Sequence, residues 1–552
     1  MDNLRKVDSE EFLLNLFRNL ARQDSVPVYI RIGNNESFFT QLSFKNKKGT
    51  EFYIKDLINK LDSSGTEDIS ISFFKKDLFF NFSVRLSDYN FDDEENNYII
   101  QRPKFVYSSY KRLVSRFELG ADDIGTINCQ KGKNIFKVLD ISTKGMSFIS
   151  DELKLDIGKV ISGSVLQFDS GEEVEADFVV KHSFKEDESN VYGVNFLELN
   201  WSSYNTIFSY IFNKQYSSIK HLFDFPVGDV YELYAKSGYI NLKEDDSIEK
   251  NFESMAKING QIKQNNQVSS NLVYCQDSKL ITACSILRIY SNTFLVHQLA
   301  SSAEARMNFT PKMSIYQGIL DHMLNNPYFK YQISYFNANE TWHVKLFKEI
   351  GQYIPDPNDF LHDETPMFEC VSSDLEELDD SIEINVELVT SYNEFIRFCE
   401  SSLSQLECNC YCYNENIHLT DIKQLYTLLG LTLERKIWKI EKDNKTIAYA
   451  VAEAYSKGLN LYNVLNMCRV HFINDFVNYD MNLVLRLMLS EVSLFFKHYG
   501  IDKFFMLTKI SDLSILPTIS IKGLNYSAMA SKVIMSYKGI SEYKKILTAN
   551  FA

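Results

Sequence analysis

No stretch of this chain reaches the roughly 20 consecutive apolar residues that a membrane-spanning helix needs. The opening residues, Met1-Asp-Asn-Leu-Arg-Lys-Val-Asp-Ser-Glu-Glu, carry no apolar signal region. Both absences lead to the expectation of a cytoplasmic protein without membrane insertion. Surplus positive charge is missing as well: 58 Lys and Arg stand against 73 Asp and Glu, a net charge of −15. Binding along a phosphate backbone needs a basic surface, so a general nucleic-acid binder is excluded, whereas a local basic pocket is not. Cysteines number nine, an odd count, and they sit mostly in apolar runs with no disulfide framework, which fits a reducing compartment. Glycine is absent from residues 261–317 and again from 459–499.

What the chain does contain is apolar and aromatic mass. Its 45% hydrophobic content, with 32 Tyr and 41 Phe, belongs to a globular protein that buries well, and 552 residues are too many for one core. Two to four domains follow. Cys408, Cys410 and Cys412 alternate, so on a strand their thiols would share one face. Zinc sites usually pair C-x-x-C motifs, and here only His418 is near in sequence, so buried small apolar side chains are the preferred reading and no metal site is expected.

In chain order, Phe12, Leu13, Leu16, Phe17 and Leu20 have helical spacing behind an Asp8/Glu11 capping box. Short alternating runs from Val26 to about Asn90 predict a small β domain, ended by an acidic connector over 88–97. A second β-rich segment from about Arg102 to Asn200 has regular short strands with turns between them, which implies a closed barrel, followed by a helix over 203–222. Beyond Pro226 helices and strands mix. Strands are predicted at Lys279–Tyr290, Thr293–Leu299, Tyr331–Asn337, Lys436–Glu441, Thr446–Ala454, Leu459–Met467 and Lys503–Thr508, with helices at Tyr392–Leu403 and Leu483–His498. A linker from Asp374 to Glu383 holds six carboxylates and no basic residue. The order of elements on its two sides suggests two copies of one α/β unit.

The chemically specified stretch is Lys111 to Gly145. Arg112 and Arg116 lie four apart, and Asp140-x-Ser142-x-x-Gly145 follows across a predicted strand. Arginines at that spacing are common on helix faces, and Asp-x-Ser-x-x-Gly also closes ordinary hairpins. Together, and in this order, the two motifs resemble the PilZ family of cyclic di-GMP receptors, and Tyr192-Gly193-Val194-Asn195-Phe196 looks like that family's closing barrel strand. The preceding β domain is similar to the N-terminal domain of flagellar-brake PilZ proteins. The resemblance implies a ligand with two phosphates and two guanines, for which planar, bidentate Arg112 and Arg116 are suited. Under it, Asp140 accepts from guanine N–H groups, and Ser142 bonds a phosphate or the turn backbone. Gly145 permits positive φ or close approach, and Lys111 and Lys144 add charge. The lead-in from Gln101 to Tyr110 leaves open whether Arg102 also contributes.

The C-terminal half resembles tandem GNAT-type acyltransferases. That family binds the CoA pyrophosphate on a Gly-rich loop at a helix N-terminus. The corresponding loops here contain no glycine, which argues against CoA and against an enzyme. His297, Glu304, His322, Glu453 and His471 are acid–base candidates with no spacing that forms a catalytic set, and Trp342-His343 reads as core.

The resulting expectation is a multidomain α+β protein. It comprises a helix and small β domain over 1–100, a PilZ-like six-stranded antiparallel barrel with its helix over 101–222, and GNAT-like units over 223–373 and 384–552. Cyclic di-GMP is the expected ligand, and a protein partner is expected to dock on the α/β units. An acyl-CoA-using N-acyltransferase regulated by the nucleotide is the alternative.

Overall fold

The computed structural model describes residues 5–7, 10–21, 26–32, 36–45, 51–54, 68–75, 78–85, 91–92, 97–110, 117–119, 126–128, 137–150, 155–186, 189–238, 247–262, 267–303, 309–339, 346–349, 351–375, 384–414, 416–462, 464–473, 480–508 and 519–551. The chain separates into two compact units, one of 1–113 with 541–552 and one of 114–540.

In the first unit the predicted amphipathic helix forms α1 (Glu10–Leu20), although Asp8 of the capping box lies outside the described residues. Its apolar stripe of Leu13, Leu16, Phe17 and Leu20 is buried. It covers an antiparallel sheet of β1 (Arg5–Val7), β2 (Val26–Ile32), β3 (Glu36–Phe44), β4 (Glu51–Ile54), β5 (Asp68–Lys75), β6 (Leu78–Arg85), β9 (Ile100–Gln101) and β10 (Val106–Tyr110). The order is β1-β10-β6-β5-β2-β3-β4-β9. Phe17 packs against Phe52, Phe73 and Phe82 with centroids 5.9–6.2 Å apart, which is where the aromatic content of this region goes. Within the expected acidic connector, β7 (Phe91–Asp92) and β8 (Asn97–Tyr98) form a separate two-stranded ribbon.

The second unit begins with a seven-stranded antiparallel sheet. Its strands are β11 (Phe117–Glu118), β12 (Thr126–Asn128), β13 (Lys137–Ser142), β14 (Gly145–Ser150), β15 (Val160–Gln167), β16 (Glu173–Glu186) and β17 (Ser189–Leu197), in the order β11-β13-β14-β17-β16-β15-β12. This corrects the expected closed, six-stranded barrel: among the described residues the sheet has seven strands and is open. The Tyr192–Phe196 segment is therefore no closing strand. It lies on β17, in the middle of the sheet between β14 and β16. Period-two patterning gives the inward faces of strands, but closure depends on which edges meet, and no local pattern encodes that.

Helix α2 (Trp201–Gln215) follows, shorter than the predicted 203–222 and capped by the Asn200 side chain, which accepts from Ser203 N–H at 2.9 Å. One face, with Ile207, Tyr210 and Ile211, completes the core beneath the seven-stranded sheet. Another carries Tyr204, Phe208 and Phe212 outward to the region that comes next.

Among the described residues that region is built on one twelve-stranded sheet. Its strands are β18 (Ile219–His221), β19 (Ser269–Gln276), β20 (Lys279–Tyr290), β21 (Thr293–Ser301), β22 (Tyr331–Asn337), β23 (Phe360–Val371), β24 (Ile384–Leu388), β25 (Leu433–Lys442), β26 (Lys445–Tyr455), β27 (Met467–Phe472), β28 (Lys503–Thr508) and β29 (Leu524–Ser536). The order is β18-β19-β20-β21-β22-β29-β23-β28-β27-β26-β25-β24. The stretches expected to form two α/β units contribute their strands to one continuous sheet. β29, from the C-terminal half, pairs with β22 of the first half, and β23, from the first half, pairs with β28 of the second. Parallel contacts occur at matching places, β21 with β22 and β27 with β28. Helix α3 (Phe309–Asn325) precedes β22 and helix α4 (Met481–His498) precedes β28, the latter capped by Asp480.

Two local expectations need correction. Leu459–Met467 is not a strand: the Asn460 side chain accepts from Tyr462 N–H at 3.0 Å and Val464 N–H at 3.3 Å, which holds a turn, and β27 starts only at Met467. The alternating cysteines do not lie on a strand either. Cys408 and Cys410 belong to helix Gln405–Cys410, and Cys412 follows it. All three are buried, and burial pushes the Cys408 and Cys412 thiols up to about 11. Most of the acidic linker, residues 376–383, lies outside the described residues.

Candidate functional site

The Asp140–Gly145 motif forms the hairpin between β13 and β14. Ser142 pairs with Gly145 across a two-residue loop, Thr143-Lys144, and neither loop residue has positive φ. Favoured two-residue hairpins use positive φ to follow strand twist, so this loop requires another restraint. The Ser142 hydroxyl supplies it, donating to Gly145 O at 2.9 Å and accepting from Lys144 N–H at 3.4 Å. Ser142 is 4% exposed, and its hydroxyl is committed to the turn backbone, one of the two roles foreseen for it.

Gly145 is glycine for close approach rather than for positive φ. A Cβ there would lie 2.0 Å from Val194 O on β17. The pairing of Gly145 with Asn195 tolerates no side chain without parting β14 from β17. Gly145→Ala is expected to destabilise this sheet by about 1–3 kcal/mol, as other forced overpacking does. Thermal denaturation checks it, and a variant that melts with the wild type would refute the close-approach explanation.

Asp140 pairs with Ser147 and with Glu118 of β11, next to a bulge at Val138/Asp140. Bulges re-aim side chains beside binding sites. Asp140 is half-buried, Lys144 is exposed, and the Lys144 carbonyl accepts from Phe196 N–H at 2.9 Å. Lys111, Arg112 and Arg116 lie outside the described residues; Asp140, Ser142, Lys144 and Gly145 lie together on one hairpin. A residue that sequence reasoning missed is Thr143, 6% exposed, whose hydroxyl donates to Asn325 Oδ1 at 3.3 Å. No local signal marks a contact between residues so distant in the chain.

Among the acid–base candidates, Glu453 is closed off. It is 1% exposed and accepts from Arg435 Nε at 2.8 Å, Arg469 Nη2 at 2.8 Å and the Tyr290 hydroxyl at 2.6 Å. Arg435 also donates to Tyr411 O at 2.8 Å and lies over the Tyr290 and Tyr413 rings. Burial alone would raise the Glu453 carboxyl, but the Arg469 and Arg435 guanidiniums overrule it and bring it down to about 2. Burial brings His322 down to about 3, and its ring stands edge-on to Phe208 at 4.9 Å. His297 is likewise brought to about 3 by burial, and its Nδ1 meets Asn460 Nδ2 at 2.9 Å. Glu304, Trp342 and His343 lie outside the described residues, and no arrangement of the remainder forms a nucleophile–base pair.

A cavity of about 880 Å³ opens where β21 and β22 part. These strands pair only over Thr293–Leu295 and Tyr331–Ile333, whereas β27 and β28 stay paired from Met467 to Val470. His297, Ser301, Lys312, Tyr316, Phe336 and Asn337 are among its lining residues.

Residues 117–213 match the PilZ domain family, so the chain carries a PilZ domain. Asp140, Ser142 and Gly145 fall inside the matched span, and Arg112 and Arg116 immediately precede it. No curated protein matches the sequence. Among solved structures the chain is similar to K. pneumonia MrkH in complex with c-di-GMP (19% identity, 38% of this chain and 96% of that one, TM-score 0.20). It is also similar to Escherichia coli YcgR in complex with c-di-GMP (12% identity, 38% and 92%, TM-score 0.20). A tandem GNAT protein from the clavulanic acid biosynthesis pathway is similar as well (8% identity, 56% and 94%, TM-score 0.31). Among the described residues no helix is long and apolar enough to cross a membrane.

Proposed function

We propose that this protein is a cyclic di-GMP receptor whose PilZ domain binds the nucleotide and passes the signal to the α/β region and, through it, to a protein partner in the cytoplasm. The observation that carries the reading is the PilZ match at 117–213 enclosing the Asp140-x-Ser142-x-x-Gly145 hairpin, a turn locked by its own serine and preceded by Arg112 and Arg116. In this reading Arg112 and Arg116 grip phosphates or guanine edges, Asp140 accepts from guanine, and Lys111 and Lys144 add local charge to an otherwise acidic chain. Nucleotide binding re-orients the domains on either side of the arginine segment. The parts it acts on are proposed to be 1–100, 101–222, 223–373 and 384–552. Calorimetric titration with cyclic di-GMP should show saturable binding, with GTP and cyclic di-AMP as controls; no heat with cyclic di-GMP would end the proposal.

The cavity favours a second reading, a nucleotide-regulated N-acyltransferase. Strands that part open an elongated gap between them, which suits an extended ligand such as an acyl-CoA. Against it stand the glycine-free stretches 261–317 and 459–499, which offer no cradle for a pyrophosphate. Acetyl-CoA is therefore expected to leave the melting temperature unchanged at millimolar concentration, and a rise would favour the enzyme.

A further inference from the structure

Helix α3 touches both features at once. Near its N-terminal end Lys312 and Tyr316 line the cavity. The Tyr316 ring stands edge-on to Phe347 at 6.3 Å, and Phe347 stacks on Phe336 of β22 at 5.5 Å. At its C-terminal end, roughly 20 Å away along a helix rising 1.5 Å per residue, Asn325 receives the Thr143 hydroxyl from the PilZ hairpin. The Asn325 carbonyl accepts from the Tyr204 hydroxyl of α2, and its amide donates to Asp321 O at 2.8 Å, which fixes the side chain.

Contacts along the helix hold this end against α2: His322 packs edge-on against Phe208 and Phe212, and Tyr216, just past α2, donates to Asp321. Gly318 allows the close approach, since a Cβ there would sit 3.4 Å from Phe212 Cζ and 2.7 Å from Cδ1 of Ile219 on β18 of its own sheet. At the far end no ladder joins β21 to β22 beyond Leu295 and Ile333, so a displacement of α3 acts on a gap whose walls are held by β20 on one side and β29 on the other.

We infer that α3 couples the Asp140–Gly145 hairpin to the cavity between β21 and β22, so that nucleotide at the hairpin and the conformation of the cavity walls bias each other through the Thr143–Asn325 contact. The inference rests on the reading of that hairpin as a cyclic di-GMP site. Thr143 lies directly between Ser142 and Lys144, so a shift of the loop bears on Asn325 through their hydrogen bond. Coupling of this kind is reciprocal: whatever closes or props open the cavity changes nucleotide affinity by the same factor.

The test is hydrogen exchange on the full chain, with and without saturating cyclic di-GMP, with calorimetry run in parallel. In the wild type the nucleotide should slow amide exchange in β21 and β22 by about fivefold or more. Thr143→Val replaces the hydroxyl with a methyl of similar shape, and Asn325→Ala removes the acceptor from outside the hairpin. Asn325→Ala should still bind nucleotide by calorimetry, and both variants should lose the slowing in β21 and β22. If Thr143→Val fails to fold or to bind, Asn325→Ala decides alone. Nucleotide binding with exchange changes confined to 114–215, or full transmission in Asn325→Ala, overturns the inference while leaving the receptor reading intact. Absence of any binding heat in the wild type overturns both, and the calorimetry identifies that case.

Discussion

Arg116→Ala and Asp140→Ala should each weaken cyclic di-GMP binding by on the order of 100-fold or more, measured by calorimetry against the wild type. A hydrogen bond to a charged group is worth about 1.5–3 kcal/mol net, a forked guanidinium makes two of them, and each 1.4 kcal/mol is tenfold in affinity. Arg116→Lys keeps the charge and loses the fork, so it should recover only part of the loss. Ser142→Ala separates two roles. Its hydroxyl already donates to Gly145 O and accepts from Lys144 N–H, so the variant should act mainly by loosening the hairpin. Lys144 is exposed, and Lys144→Ala should cost less than tenfold and vary with salt. Arg116→Ala and Asp140→Ala that bind as tightly as the wild type would remove the proposed site.

Glu453→Gln should be the most damaging single substitution in the α/β region. It leaves Arg435 and Arg469 buried without their counter-charge, and breaking a buried pair from one side costs about 3–5 kcal/mol. The side chains of Arg435, Arg469 and Glu453 are 3%, 7% and 1% exposed, so solvent does not screen the loss. Thermal denaturation reads it directly. The combined Arg435→Met, Glu453→Leu, Arg469→Met variant should recover much of the stability, because buried ion clusters are often replaceable by apolar packing. A Glu453→Gln protein that melts with the wild type would show that the triad is dispensable.

Glu453 and two buried histidines set the acid limb of stability. Glu453, held at about 2 in the folded protein against an ordinary 4.5, contributes stability that is present above about pH 4.5 and lost as pH falls toward 2. His322 and His297 titrate near 3 when folded and near 6.5 when unfolded. Between those values the unfolded chain binds more protons, so stability should decline as pH drops from about 6.5. His322→Phe, which cannot titrate, should flatten the upper part of that decline.

Much of the architecture was legible because it is locally encoded. Period-two and period-3.6 patterning located α1, β20, β22, α4 and β28 to within a few residues. The Asp140–Gly145 motif was recognisable because a hairpin closed by its own serine is specified within six residues. Chemistry also told against Glu453 and His322 as catalysts, since isolated acid–base groups in apolar runs are usually buried and satisfied.

What only the tertiary structure decided are pairings between residues far apart in the chain. The pairing of β29 with β22 and of β23 with β28 joins the strands of both halves in one sheet, and no local pattern states which edge a strand will join. The open edge of the PilZ sheet has the same origin. Gly145 proved to be a glycine because Val194 lies against it, not because its own φ demands one. Cys408 and Cys410 became part of a helix because Ser404 and Glu407 form a capping box at its start and a core was available to take their thiols. Thr143, an unremarkable loop residue in the sequence, acquired its importance only when the fold set Asn325 3.3 Å away. Residue patterns determine elements and turns, whose energetics are settled over a few neighbours; long-range packing decides which elements share a boundary and what a side chain at that boundary can do.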